Sequence, residues 1–239
     1  VSERTDPNSD GRSWFTKLVT RILYRRVLVI FQNEYAQSWF SKKIRDNSLI
    51  IPNPISVTTN ASKKQKQKIV SVGRHEKSKN HQMTIFAFNR YVQTNPEHTL
   101  HFYGDGSLRN KLIYQVGELN LSDKVFFHGV VDDIHENIKD AEMFVLSSKY
   151  EGQPNALLEA MMMGIPVITT DFPSVRGVVD NGVSGIVVPL DDDIALSRAM
   201  DLLSRDEKLR SKLVENGRAI AANYSKDRIL RIWDKVILD

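Results

Sequence analysis

Glu151 and Glu159 are separated by the seven residues Gly152-Gln153-Pro154-Asn155-Ala156-Leu157-Leu158. Pro154 suits the first turn of a helix, where a missing N–H leaves no bond unmade. Gly164 and Pro166 suit its end. The spacing therefore puts Glu151 in a loop and Glu159 one to two turns inside a helix. The N–H groups of Asn155 and Ala156 lie between them, at a helix N-terminus whose first donors have no intrahelical partner. Two acceptors flanking a row of donors match a sugar diphosphate, which carries hydroxyls at both ends and anionic oxygens between. The plain alternative for Glu159 is a capping or surface carboxylate. Against it, Leu157, Leu158, Ala160, Met161, Met162 and Met163 surround it with apolar side chains. A helix apolar all round is buried, and a buried carboxylate without a partner is costly, which favours a ligand.

A second set of groups lies earlier, in Gly73-Arg74-His75-Glu76-Lys77-Ser78-Lys79-Asn80. Gly73 follows an apolar run, where the chain turns and a ligand can approach the backbone. Arg74 forks onto two oxygens, Lys79 acts as a point charge, and the start of the next helix adds donors, so the loop suits a diphosphate. A solvated basic loop is the alternative. Gly104-Asp105-Gly106 reads as a turn that also lets backbone meet a ligand. The six histidines show no metal-site spacing and read as ordinary core or surface residues. Asp191, Asp192 and Asp193 follow Pro189-Leu190 and read as a helix start.

These residues need a scaffold, and the pattern supplies one. Strands are expected at 69–72, 100–103, 125–127, 143–146, 167–170 and 185–188. Helices are expected at 83–92, 107–119, 134–139, 154–163 and 192–204, with a short one near 174–179. Alternating short apolar strands and helices mean an α/β fold, a Rossmann-like parallel sheet with helices on both faces. Right-handed crossovers bring the strand-to-helix loops to one edge, where such folds bind ligands. Ahead of this region lie a polar lead-in, a basic amphipathic helix from Trp14, a strand over Val27–Phe31 and one helix from Glu34 to Ile44. Pro52-Asn53-Pro54 breaks the pattern, dividing the chain into 1–52 and 53–239.

The 239 residues are 41% hydrophobic and carry a net charge of +4, ordinary for a globular protein with a core. The absence of cysteine excludes disulfides, thiolate zinc sites and thiol catalysis. No apolar run reaches the roughly 18 residues that span a bilayer, and no signal-peptide pattern is visible; a cytoplasmic location is expected. The chain opens on Val1, as a piece of a longer protein would. Basic runs occur at Arg12, Lys17, Arg21, Arg25, Arg26 and at Lys63, Lys64, Lys66, Lys68. They lack interleaved aromatics and any nucleic-acid-binding motif, so no nucleic-acid partner is expected.

Two glutamates separated by seven residues, after a strand and across a helix start, resemble the signature of the retaining glycosyltransferases of family 4, which have the GT-B fold. Ser71-Val72-Gly73-Arg74 with Lys79-Asn80 resembles the family's Gly-Arg…Lys element, and Tyr103-Gly104-Asp105-Gly106 its Gly-x-Gly turn. Val125-Phe126-Phe127-His128-Gly129 resembles the strand before its base-binding loop. Gly164-Ile165-Pro166-Val167-Ile168 and Gly182-Val183-Ser184-Gly185 are similar to later segments. The resemblance runs from about residue 50 to 225. It implies the C-terminal half of a GT-B enzyme, with residues 1–52 a remnant of the acceptor-binding half. It implies catalytic roles for Arg74, Lys79 and Glu151: the two cations on the diphosphate leaving group, Glu151 on donor-sugar hydroxyls. It places Glu159 on the ribose, backbone near Val130 on the base, Gly73 against the donor, and the N–H groups of Gln153, Asn155 and Ala156 on sugar and phosphate. It implies no metal, cations and helix dipole serving instead.

The implied function is a hexosyltransferase donor domain using a nucleotide sugar, with a UDP-sugar as the expected donor. The acceptor would be a glycan or a lipid-linked glycan in capsule, lipopolysaccharide or other polysaccharide synthesis. With most of the acceptor half missing, the chain is expected to bind nucleotide but transfer sugar poorly. The segment Trp14 to Arg26 has three readings: a helix of the lost half, a peripheral contact with anionic lipid at the inner membrane face, or a cover for an exposed edge. Two other functions stay open, a GT-B nucleotide-sugar epimerase and a non-catalytic nucleotide-binding module. A dehydrogenase is disfavoured, since no Gly-x-Gly-x-x-Gly follows the first strand. The sequence leaves oligomeric state, donor sugar and acceptor open.

Overall fold

The computed structural model describes residues 2–3, 19–20, 22–62 and 67–238. A three-stranded parallel sheet comes first, from β1 (Ser2–Glu3), β2 (Val29–Phe31) and β3 (Ser48–Ile50), with β2 in the middle. The helices α1 (Glu34–Ser38) and α2 (Lys42–Arg45) connect β2 to β3. The single helix expected over 34–44 is thus two. Phe40 packs against the rings of Phe31 and Tyr24, at 5.0 and 5.7 Å between centroids, and Ser41 takes extended backbone to start α2. Strand β3 was not anticipated, because three residues of mixed exposure give no alternation to read. Of the basic segment Trp14 to Arg26, residues 14–18 and Arg21 lie outside the described residues, as do Arg12, Lys63, Lys64 and Lys66.

The larger sheet contains β4 (Lys68–Val72), β5 (Thr99–Tyr103), β6 (Val125–Phe127), β7 (Met143–Leu146), β8 (Val167–Thr170) and β9 (Ile186–Val188). Its order is β6-β5-β4-β7-β8-β9, and every neighbouring pair is parallel. The helices are α3 (His81–Tyr91), α4 (Arg109–Glu118), α5 (Ile134–Ile138), α6 (Asn155–Met163), α7 (Asp193–Arg205), α8 (Glu207–Ala221) and α9 (Lys226–Leu238). The doubly wound α/β architecture expected from the sequence is the one observed.

Strand periodicity explains the layers. Successive side chains point to opposite faces, so Ile69, Met143, Val145 and Ile168 face α3, α4 and α7. Val70, Phe144, Leu146 and Val167 face α5, α6 and α8. Both faces are covered at the centre of the sheet, where β7 and β8 are buried along their whole length rather than alternately. Phe88, Phe102 and Phe144 are fully buried, each contributing about 1.5–3 kcal/mol.

Two helices beyond Ser204, not anticipated, close the chain. Helix α8 lies against α6. Helix α9 returns to the first sheet and packs Ile229, Ile232, Trp233 and Val236 around Ile30 and Ile51. The connecting segment is tied at the same point, by Ile55 N–H to Tyr224 O at 2.7 Å and Lys226 N–H to Ile55 O at 3.0 Å.

Candidate functional site

Strands β4 and β7 are neighbours in the middle of the sheet, but their helices go to opposite faces. Where two such loops part, an open α/β sheet leaves a crevice. The crevice has a volume of about 530 Å³, and its walls include Gly73, Arg74, Ser78, Lys79, Tyr150, Glu151, Gln153, Asn155 and Ala156.

Lys79 and Glu151 meet across it, Nζ to Oε1 at 2.5 Å, with both side chains mostly buried. Each is held by its own loop. Ser148 Oγ donates to the same carboxylate oxygen at 2.6 Å, and Ser174 Oγ to the Glu151 carbonyl at 2.7 Å. Ser147 Oγ lies 2.9 Å from Lys79 O and 3.0 Å from Asn80 O, and receives a bond from Thr84 Oγ1 at 2.8 Å. That bracket fixes the turn at Asn80, which is left-handed with φ of +50° and opens α3. Arg74 is exposed at the mouth, and among the described residues it forms no ion pair.

The glycine turn after β5 has a different role from the one its composition suggested. Gly104 sits at φ +122°, and a Cβ there would lie 2.3 Å from the Gly73 carbonyl oxygen. Gly73 N–H donates to Tyr103 O and His75 N–H to Asp105 O, both at 2.9 Å. The turn is therefore a bed for the Gly73–His75 loop. Behind that loop His75 and His81 are buried with their Nδ1 atoms 2.8 Å apart. Burial pushes His81 down to about 3, helped by repulsion from His75 whenever that ring takes a proton and by the charge of Lys79.

At the start of α6 two expectations need amendment. The Asn155 N–H is not free: it donates to Gln153 O at 2.9 Å, because Pro154 occupies the cap with φ −81° and ψ 70° and folds the chain back. The Gln153 side chain points to the connecting segment, accepting from Asn53 N at 2.7 Å and donating to Asn53 O at 3.1 Å. Asn33 Nδ2 donates to Gly152 O at 2.6 Å, so the first sheet also braces this loop. Ala156 remains a first-turn residue on the crevice wall.

Glu159 and Val130 lie outside that wall. Val130 is 81% exposed, on the loop after β6. Glu159 is half-buried rather than sealed in and has a partner, His135 Nε2 at 3.5 Å from Oε2. Burial raises its pKa above the usual carboxylate value, and His135 pulls it partly back. Residues 130–135 thus join the two. The site residues missed from sequence are Ser147, Ser148, Ser174, Asn33 and His135. Only Ser147-Ser148, directly after a strand at the carboxyl edge, carried a readable signal.

A doubly wound sheet with a basic, carboxylate-bearing crevice at its switch point is a Rossmann-like α/β domain. The chain belongs to the family "Glycosyl transferases group 1", whose pattern matches residues 55–220. It is 29% identical over 171 residues to the N-acetylgalactosamine-N,N'-diacetylbacillosaminyl-diphospho-undecaprenol 4-alpha-N-acetylgalactosaminyltransferase of Campylobacter jejuni, covering 71% of this chain and 46% of that one. It is 28% identical to the poly(glycerol-phosphate) alpha-glucosyltransferase of Bacillus subtilis, over 71% of this chain and 25% of that one. The fold matches that of Anabaena HepE in complex with UDP with a TM-score of 0.90, at 18% identity, over 99% of this chain and 71% of the other. The chain spans about half the length of the Campylobacter relative. No helix among the described residues is long and apolar enough to cross a membrane.

Proposed function

We propose that this chain is the donor-binding half of a retaining hexosyltransferase. The enzyme would move a sugar from a nucleoside diphosphate, most simply UDP, to a glycan or lipid-linked acceptor in polysaccharide synthesis. The observation that carries the reading is the Lys79–Glu151 pair beside Arg74 in the switch-point crevice. Cleaving the bond from the sugar to the diphosphate leaves negative charge on the departing phosphate. Arg74 and Lys79 stand ready to neutralise it without a metal ion, with the N-terminus of α6 adding its dipole. Ser148 and Lys79 both bind Oε1 of Glu151, which leaves Oε2 to accept from donor-sugar hydroxyls. Ala156 N–H serves the phosphate, Glu159 the ribose, and backbone at Val130 the base.

The relatives named above support the class: two transfer sugars by name, and a third protein of the same fold holds UDP. Calorimetric titration with UDP, GDP and ADP, in EDTA, tests the reading. One nucleotide should bind and Glu159→Ala should weaken it; binding of none, or binding only with added metal, contradicts it. The chain alone should turn over donor and acceptor far more slowly than a two-domain enzyme.

The same reading places the protein on the cytoplasmic side, where nucleotide sugars are made, and allows contact with anionic lipid through the exposed Ile22, Leu23, Arg25 and Arg26. Unchanged binding to anionic vesicles after Ile22→Asp and Leu23→Asp would remove the lipid contact.

A further inference from the structure

His135 is the second residue of α5, a helix capped by Asp133, whose side chain accepts the Glu136 N–H at 3.0 Å. Its ring is held from one side by the segment that joins the two sheets. The Thr58 backbone N–H points at Nδ1 from 3.2 Å. Thr58 Oγ1 lies 3.1 Å from the same atom and 3.3 Å from Asp133 Oδ1. A nitrogen that accepts a backbone N–H carries no proton of its own, so the neutral ring holds its proton on Nε2. That atom is buried, has no hydrogen-bond partner within normal reach, and faces Glu159 Oε2 from 3.5 Å. Neither Thr58 nor His135 lines the crevice that holds Lys79 and Glu151.

We propose that His135 is a positioning residue for the nucleotide: anchored by Thr58, it directs Nε2–H at Oε2 of Glu159 and thereby leaves Oε1 aimed at the ribose hydroxyls. The inference rests on the reading of Glu159 as the ribose contact. A carboxylate on a half-exposed helix face has several rotamers open to it, and each freezes at an entropic cost on binding. A donor fixed on one oxygen removes that cost before the ligand arrives. Since Thr58 belongs to the connecting segment, the aim of Glu159 also follows the placement of that segment against α5. Among the described ionisable groups the one acting on Glu159 is His135. Asp133 is occupied by Thr58 and by its own helix end, and Glu136 pairs with Lys139.

The test compares UDP with 2′,3′-dideoxy-UDP in calorimetry at pH 8, for the full chain and for variants at both residues. The wild type and Glu159→Ala serve as the reference. UDP should bind more tightly than its dideoxy form in the wild type, and Glu159→Ala should abolish the difference. If the wild type shows no preference, the ribose role of Glu159 fails, and this inference with it. Given a preference, His135→Ala should weaken UDP about tenfold, the order expected when a contact to a charged group is lost, and leave the dideoxy form unchanged. His135→Gln, whose amide nitrogen reaches the position of Nε2, should restore most of the preference; His135→Asn, which ends at the position of Nδ1, should not. Equal losses for both ligands in His135→Ala, or no loss for either, would overturn the positioning role while leaving Glu159 in place. Equal behaviour of the Gln and Asn variants would overturn it as well.

Discussion

Lys79 Nζ and Glu151 Oε1 lie 2.5 Å apart across the switch point of the sheet, joining the loop after β4 to the loop after β7. The two residues are 72 positions apart in sequence. The pair keeps the lysine charge within the crevice, and an incoming diphosphate would share that charge with Glu151.

Removing one partner strands the other. In Lys79→Ala, the Glu151 carboxylate keeps Ser148 but loses its cation in a largely desolvated place. A loss of about 1–3 kcal/mol in unfolding free energy is expected from an unpaired, partly buried charge, with nucleotide diphosphate affinity falling at least about tenfold. Glu151→Gln retains an acceptor and leaves Lys79 positive. It should cost less stability and keep UDP affinity within a few-fold, while sugar transfer by the complete enzyme falls. Urea unfolding and calorimetry separate the two, and equal UDP losses in both variants would contradict the division of roles.

Gly104 should tolerate no side chain. Its φ of +122° and the 2.3 Å approach of an added Cβ to Gly73 O mean that Gly104→Ala pushes the Gly73 loop away from β5. Overpacking of this kind costs about 1–3 kcal/mol. Because Gly73 lies against the aliphatic stem of Lys79, UDP affinity should drop together with stability. Gly182→Ala is the control: φ is +72°, but the added Cβ meets open space. It should cost strain alone and leave binding as it was. Matching UDP affinities in the two variants would show that the Gly73 loop does not depend on its bed.

The buried histidine pair makes the fold acid-sensitive. In the unfolded chain a histidine takes its proton near pH 6.5; in the folded chain His81 does so only at about 3. His75 is also pushed down, chiefly by burial. Between these values the unfolded state binds more protons, so stability declines as pH falls from 6.5 and levels off below about 3. A fully developed shift is worth about 1.4 kcal/mol per pH unit. Urea unfolding at pH 7, 6 and 5 should show the decline before most carboxylates titrate. His101, held down to about 4 by burial and by Lys68 and His128, adds to it with the same sign. In His81→Leu the slope should shrink, and a wild type with flat stability over this range would show that the pair is not neutral.

How much of this was readable from sequence depends on the distance over which a feature is decided. The strands 143–146 and 167–170 were legible to the residue, because burial on both faces writes an apolar run into adjacent positions. The crevice was legible too, since Arg74, Lys79 and Glu151 each follow such a run. The break between α1 and α2 was not, because it depends on Phe40 finding Phe31 and Tyr24. From sequence, Glu159 is a carboxylate in search of a ligand. His135, 24 residues earlier by number, lies against it only after α5 and α6 pack on one face of the sheet. Helix α9 gives a clear amphipathic pattern, but its partner Ile30 belongs to the other sheet.

Gln153 is the sharpest case of a residue whose neighbours in sequence mislead, and it yields the last prediction. Its place between Glu151 and Asn155 suggests contact with the sugar, yet both ends of its amide bind the backbone of Asn53, 100 positions away. The side chain thus clips the connecting segment onto the entrance of α6, next to the point where Asn33 holds Gly152. Gln153→Ala removes both bonds to the Asn53 backbone. A loss of about 1–3 kcal/mol is expected from two neutral hydrogen bonds. Amide exchange should quicken at residues 51–55, while UDP affinity changes less than about threefold. Gln153→Glu keeps the acceptor for Asn53 N–H but turns the donor into a repulsive contact with Asn53 O, so it should be no better than alanine. If instead Gln153→Ala leaves exchange at the connecting segment unchanged and alters which donor sugar the complete enzyme accepts, the side chain works in the crevice and the clip is incidental.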